Sequence, residues 1–169
     1  LRIMSGVMRP DSGTVLYDDR SVWENVAVKD EIVFLSDEQF LLPGASMDDM
    51  QRLYASLYRH FDTARYRELT ALFHLDPERK LSTFSKGMKK QASILLALAC
   101  RPRYLLCDET FDGLDPVMRR LVKKMIYNDI LERGTTAIIT SHSLRELEDT
   151  CDQLALLHQG GIVFESDIQ

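Results

Sequence analysis

The sequence predicts an α/β fold built on a mostly parallel sheet, because strand-like and helix-like runs alternate through its second half and the strand runs are continuously apolar. Tyr104 to Asp108 reads as a strand, Val117 to Arg133 as a helix, Thr136 to Thr140 as a strand and Leu144 to Cys151 as a helix. A further observation refines this: Ser46 to Cys100 switches to helical periodicity, which predicts a helical subdomain inserted into the α/β core. The expected division is residues 1–45 and 101–169 for the core and 46–100 for the helical subdomain, all within one domain.

Each element has a local reason. Leu1 to Val7 reads as the tail of a helix, Met8 to Gly13 as a turn punctuated by Pro10 and Gly13, and Thr14 to Tyr17 as a short strand. Glu31 to Leu35 is the next strand, and a polar loop carries on to Pro43-Gly44. From Ser46, Met47, Met50, Leu53, Tyr54 and Leu57 recur at spacings of three and four, with Asp48 and Asp49 in the first turn, where the helix dipole favours negative charge. A second helix covers about Thr63 to Phe73, with Asp62 or Thr63 as its N-cap and Asp76-Pro77 marking its end. The third starts near Ser85, with Lys89 and Lys90 expected to face water and Ile94, Leu95, Leu98 and Ala99 expected to pack inward. Leu154 to His158 and Ile162 to Glu165 close the chain as a hairpin through Gln159-Gly160-Gly161.

Composition narrows the function classes. A chain of 169 residues, 45% hydrophobic and 28% charged, is ordinary globular material with enough length for one core. Its formal net charge of -5 disfavours nucleic acid as a partner, and the Lys86, Lys89 and Lys90 cluster carries no interleaved aromatics that would stack on bases. Cys100, Cys107 and Cys151 are odd in number and sit in apolar runs, so they read as reduced, buried thiols rather than a disulfide or zinc framework. The longest largely apolar stretch, Ala92 to Cys100, falls well short of the roughly 20 residues a bilayer span requires. A cytosolic protein is expected.

The chemistry concentrates in Tyr104 to Pro116, YLLCDETFDGLDP, where an apolar strand ends on the adjacent carboxylates Asp108 and Glu109. Carboxylates there can hold magnesium and polarise a water. Ligands of open parallel sheets bind beyond the carboxyl ends of the strands. Asp37, Asp108 and His142 each follow a strand run, so all three are expected on one edge. Ser85 caps a helix whose first N–H groups lack internal partners, which suits an anion.

The order of these motifs, from Leu1-Arg2-Ile3-Met4-Ser5-Gly6 and Arg9-Pro10-Asp11-Ser12-Gly13 through Leu81 to Gln91, Asp108-Glu109 and Thr136 to His142, resembles the ATP-binding subunit of an ABC transporter nearly end to end. The resemblance implies a P-loop NTPase-like fold, ATP and Mg2+ as cofactors, and an ATPase coupled to transport. By residue, it implies that Asp108 holds magnesium, that Glu109 polarises the attacking water, and that His142 touches the terminal phosphate. Ser85 and Gly87 stand in the place of the family's LSGGQ signature, with Phe84, Lys86 and Met88 departing from it. They imply binding of the nucleotide held by a second ATPase subunit in a head-to-tail dimer. Asp115 resembles the loop that crosses that dimer. The family's magnesium-touching glutamine falls on Asp37, and Gln39 sits two positions too late.

A multi-span membrane permease subunit is the implied partner, placing the protein on the inner face of the cell membrane, and the FSKGM and SDE segments resemble subunits that serve exporters. The other reading is a non-transport ABC ATPase acting on ribosomes or DNA, against which the charge and the lack of a second ATPase half both speak. No GK[ST] sequence stands among the 169 residues. The resemblance therefore implies an N-terminally incomplete chain, with a strand and a phosphate loop expected ahead of Leu1 and no turnover expected from the chain alone.

Overall fold

The computed structural model describes residues 1–38, 40–148 and 150–168. Its centre is a three-stranded parallel sheet in the order β3 (Ile32–Leu35), β4 (Tyr104–Asp108), β5 (Thr136–Thr140). Register is continuous: Ile32 faces Tyr104, which faces Thr136, and Asp108 faces Thr140. Side chains alternate between the two faces, as strand geometry requires. Val33, Leu35, Leu105 and Cys107 enter the larger core, whereas Ile32 and Leu106 enter a smaller one with Tyr17, Val22 and Val28. Both faces are covered, which explains why these strands read as unbroken apolar runs.

The smaller core is roofed by the N-terminal part of the chain. There β1 (Leu16–Tyr17) and β2 (Arg20–Ser21) form a short antiparallel pair, followed by α1 (Val26–Lys29), a helix that the sequence pattern did not suggest. Leu1 to Val7, expected as a helix tail, is a hydrogen-bonded turn in which Ser5 N–H donates to the Leu1 carbonyl and Val7 N–H to the Arg2 carbonyl. Gly6 N–H also donates to the Ile3 carbonyl and Gly6 has φ 70°, so the bonds are those that close a helix at its C-terminus, in keeping with that expectation.

Three helices carry the larger core away from the sheet: α2 (Met47–Leu57), α3 (Thr63–Leu72) and α4 (Lys86–Ala99). Each has a built start. Ser46 and Asp49 form a reciprocal capping box on α2, Asp62 accepts from Arg65 N–H on α3, and Ser85 accepts from Met88 N–H on α4. Helix α4 is the central one, since it packs against α2, α3 and strand β3, and nine of its residues are buried. Each fully buried Leu or Ile there contributes roughly 1.5–3 kcal/mol.

Lys90 is one of those nine and is only 5% exposed, which corrects the expectation that it faces water. It precedes Ile94 by one turn and Leu98 by two, so it lies on their face. Its ammonium is accommodated by polar partners at the inner end of that face.

Helix α5 (Pro116–Arg133) follows β4, and α6 (Leu144–Glu148) follows β5. Asp115 caps α5 by accepting from Val117 and Met118 N–H, and the helix closes on Gly134 at φ 68°, a left-handed position where glycine carries no Cβ penalty. The hairpin β6 (Gln153–His158) and β7 (Gly161–Asp167) forms a separate antiparallel pair, and β7 is exposed along its length. All three cysteines are free. Cys100 and Cys107 are buried as expected, and burial pushes the Cys107 thiol up to about 12, so it stays protonated; Cys151 is half-buried.

Asp62 ties two helices together. Its backbone N–H donates to the Ala99 carbonyl at the end of α4, and its carboxylate accepts from Arg65 N–H and from Arg101. The Arg65 N–H, and then Arg101, hold its carboxyl below the usual range. A lowered carboxyl stabilises the fold above its unfolded pKa and loses that contribution as pH falls through the folded value. Asp62→Ala is therefore expected to lower stability by about 1–2 kcal/mol at pH 7 in urea unfolding. The gap to wild type should narrow below pH about 4; a gap that stays constant to low pH would show that the carboxylate charge is not responsible.

Candidate functional site

Because β3, β4 and β5 run parallel and in register, their carboxyl ends lie side by side. The loop after Leu35, the Asp108-Glu109 pair and the Ser141-His142 segment leave the sheet from this edge. Position 109 is where the chain breaks from strand to turn. Glu109 has φ 47°, a left-handed conformation that costs a non-glycine residue about 1–2 kcal/mol.

Three contacts hold that conformation. Glu109 N–H donates to the Thr140 carbonyl at 3.2 Å, extending the ladder by one residue. The Glu109 carbonyl accepts from Lys90 Nζ at 2.7 Å. The side chain meets His142, with Nδ1 at 3.0 Å from Oε2, and the other ring nitrogen lies 3.3 Å from Asp112 Oδ2. The Glu109 contact is an ion-pair approach rather than a directed hydrogen bond: Oε2 is shielded from solvent and no donor among the described residues is aligned on it. The ring itself is open to solvent, with its side chain 73% exposed.

Asp108 points differently. Its Oδ1 accepts from Thr140 Oγ1 at 2.7 Å, an arrangement that fixes one oxygen of the carboxylate against the neighbouring strand. Asp37, on the exposed loop after β3, places Oδ1 at 3.6 Å from Lys90 Nζ. Ser85 and Gly87 sit at the start of α4, and a Cβ built on Gly87 would lie 3.8 Å from the Gly113 carbonyl, so the α4 start and the turn before α5 are neighbours. Asp115 is exposed and capping. Gln39 lies outside the described residues.

The edge thus brings Glu109 and His142 together, with Asp37 joined to Glu109 through Lys90. Asp108 has a partner of its own. Asp112, Thr140 and Lys90 are additions that the sequence reading did not single out. Lys90 carried a signal, its helical phase with Ile94 and Leu98. Thr140 carried a weaker one, its register opposite Asp108, and Asp112 carried none beyond its place in the turn.

As to metal, Asp108 and Asp37 are hard oxygen donors of the kind magnesium takes. Asp108 fits that role, since Thr140 engages only Oδ1 among the interactions seen. A cation at Asp37 would compete with the Lys90 ammonium. Among the described residues, the three-residue group whose ligand atoms lie within 4.8 Å of one another is a different one, Glu109, Asp112 and His142.

An in-register parallel sheet with an acidic strand end, a histidine just past the next strand and a capped helix start near the same turn defines an α/β domain that gathers its polar groups at the carboxyl edge of the sheet. The sequence model described as ABC transporter matches residues 1–112, and the chain belongs to that family. It is 29% identical over 168 residues to the ABC transporter ATP-binding protein YtrB of Bacillus subtilis, covering 99% of this chain and 58% of that protein. It is 32% identical over 169 residues to the aliphatic sulfonates import ATP-binding protein SsuB of Zymomonas mobilis, covering 99% of this chain and 68% of that one. A solved ATP-binding subunit of an ABC transporter shares the fold with a TM-score of 0.90 at 22% identity, over 99% of this chain and 72% of the other. Among the described residues no helix is long and apolar enough to cross a membrane.

The Thr140 hydroxyl is the simplest part of the edge to test. Thr140→Val removes the donor to Asp108 while keeping the β-branched shape, and is expected to cost about 1 kcal/mol or more in urea unfolding. Thr140→Ser should recover most of the loss. Equal stability of the Val and Ser variants would mean that the hydroxyl does not support Asp108.

Proposed function

We propose that the protein is the ATP-hydrolysing subunit of a membrane transporter, with Glu109 as the residue that accepts a proton from the attacking water. The observation that carries this reading is the set of contacts around Glu109: a strained backbone held at both amide and carbonyl, and a carboxylate oxygen kept from solvent beside His142. A carboxylate so placed suits general-base work, which typically contributes roughly 10² to 10⁴-fold in rate. His142 contacts the terminal phosphate, and Asp108 is the residue assigned to Mg2+, whose role when bound is to neutralise charge on the phosphates.

Ser85, Gly87 and Asp115 serve a second ATPase subunit in a head-to-tail pair. The exposure of Ser85 and Asp115, and the closeness of the α4 start to Gly113, favour a shared surface there. A multi-span permease is the membrane partner, contacted by the loop after β3, and through it the protein sits at the cytoplasmic face of the membrane. Export is the direction that the Phe84 to Met88 and Ser36 to Glu38 segments favour. The SsuB relative is named for import, so family membership does not itself carry direction.

Two measurements test the reading. In the full-length protein, Glu109→Gln should retain ATP-driven dimerisation while turnover falls by about two to four orders of magnitude; undiminished turnover would remove Glu109 from the base role. The 169-residue chain alone, which contains no GK[ST] sequence, is expected to release phosphate from ATP at background level. Magnesium-dependent release by that chain would show that its residues suffice.

A further inference from the structure

The buried ammonium of Lys90 is used by neither the family resemblance nor the proposed chemistry, yet it touches two of the segments that meet at the strand-end edge. We infer that Lys90 is a positioning residue for hydrolysis: one charge on α4 fixes the left-handed turn at Glu109 and ties the loop carrying Asp37 to it. This rests on the reading of Glu109 as the base.

Burial makes the argument. A lysine is almost never enclosed unless its charge is paired and its N–H donors are bonded. Lys90 is 5% exposed, and its Nζ lies 2.7 Å from the Glu109 carbonyl and 3.6 Å from Asp37 Oδ1. The two partners follow different strands, Glu109 directly after β4 and Asp37 in the loop after β3, while the lysine comes from the helix that packs on β3.

The Glu109 backbone needs its contacts, because like six other non-glycine residues among those described it sits in a region that side chains disfavour. The Thr140 carbonyl fixes its amide from one side. Lys90 fixes its carbonyl from the other, and between them the direction of the carboxylate toward His142 is set. A neutral side chain of similar length would fill the space without supplying the donor. Arginine would supply charge and donors in a different geometry.

A merely structural lysine and a positioning lysine differ in what they move. In the full-length protein, Lys90→Met is expected to lower kcat about 10-fold or more with KM for ATP changed less than about 3-fold, the pattern of an interaction that matters in the transition state. Lys90→Arg should restore part of kcat. Adding Asp37→Asn to Lys90→Met should cost little more, because coupled residues are not additive. The exposed Lys124→Met is the control and should match wild type.

Wild-type kcat in folded Lys90→Met, a change confined to KM, or an Arg variant no better than Met would each overturn the inference. If the Met variant does not fold, Lys90→Gln takes its place under the same criteria. A second arm is independent of turnover: in NMR spectra of the full-length protein, Lys90→Met should shift the His142 ring and Glu109 amide resonances. Unmoved resonances would refute positioning. Shifted resonances together with full activity of Glu109→Gln would instead place the failure in the base assignment.

Discussion

The burial of α4 is the constraint on which the rest of the molecule depends. Its apolar side chains are enclosed by α2 and α3 on one side and by β3 on the other, so a single continuous core joins the helices to the sheet. Protein interiors pack at crystal-like density, and a joint made this way transmits small shifts rather than absorbing them. The start of α4, where Ser85 caps the helix, is therefore held in a defined place relative to the ends of β3 and β4. The polar edge inherits its geometry from an apolar contact several turns away.

Much of this could be read from residue order. The strand at Tyr104 to Asp108 and the strand at Thr136 to Thr140 match the observed limits, because parallel strands buried on both faces leave an uninterrupted apolar record. The cap at Ser85 was readable for a similar reason and that of α3 was narrowed to Asp62 or Thr63, since each is a short polar side chain immediately ahead of a periodic run; Asp62 is the one observed. What periodicity missed was small or depended on distant partners. The four residues of α1 are too few to show a period.

Lys90 illustrates the second kind of miss. Charge argued for the surface, whereas phase placed it under Ile94 and Leu98, and phase prevailed because a carbonyl and a carboxylate from elsewhere in the chain met the ammonium. Nothing within the helix's own sequence announces those partners. The same holds for the Thr140 hydroxyl on Asp108 and for Asp112 at the far nitrogen of His142. Each is a contact between strands or loops separated by some thirty residues, as the 32-residue interval between Asp108 and Thr140 shows. Sequence order locates the edge, and three-dimensional register decides which side chains share it.

The conformation at position 109 has an evolutionary corollary. Judged by backbone preference alone, that site would belong to glycine or asparagine, the residues that occupy left-handed φ at least penalty. A selection for heat resistance with no demand for turnover would therefore drift toward a tougher molecule without its carboxylate. On the role proposed for Glu109, ruggedness is yielded there so that an oxygen can be aimed, and searches for hardier variants of this protein should hold that codon constant.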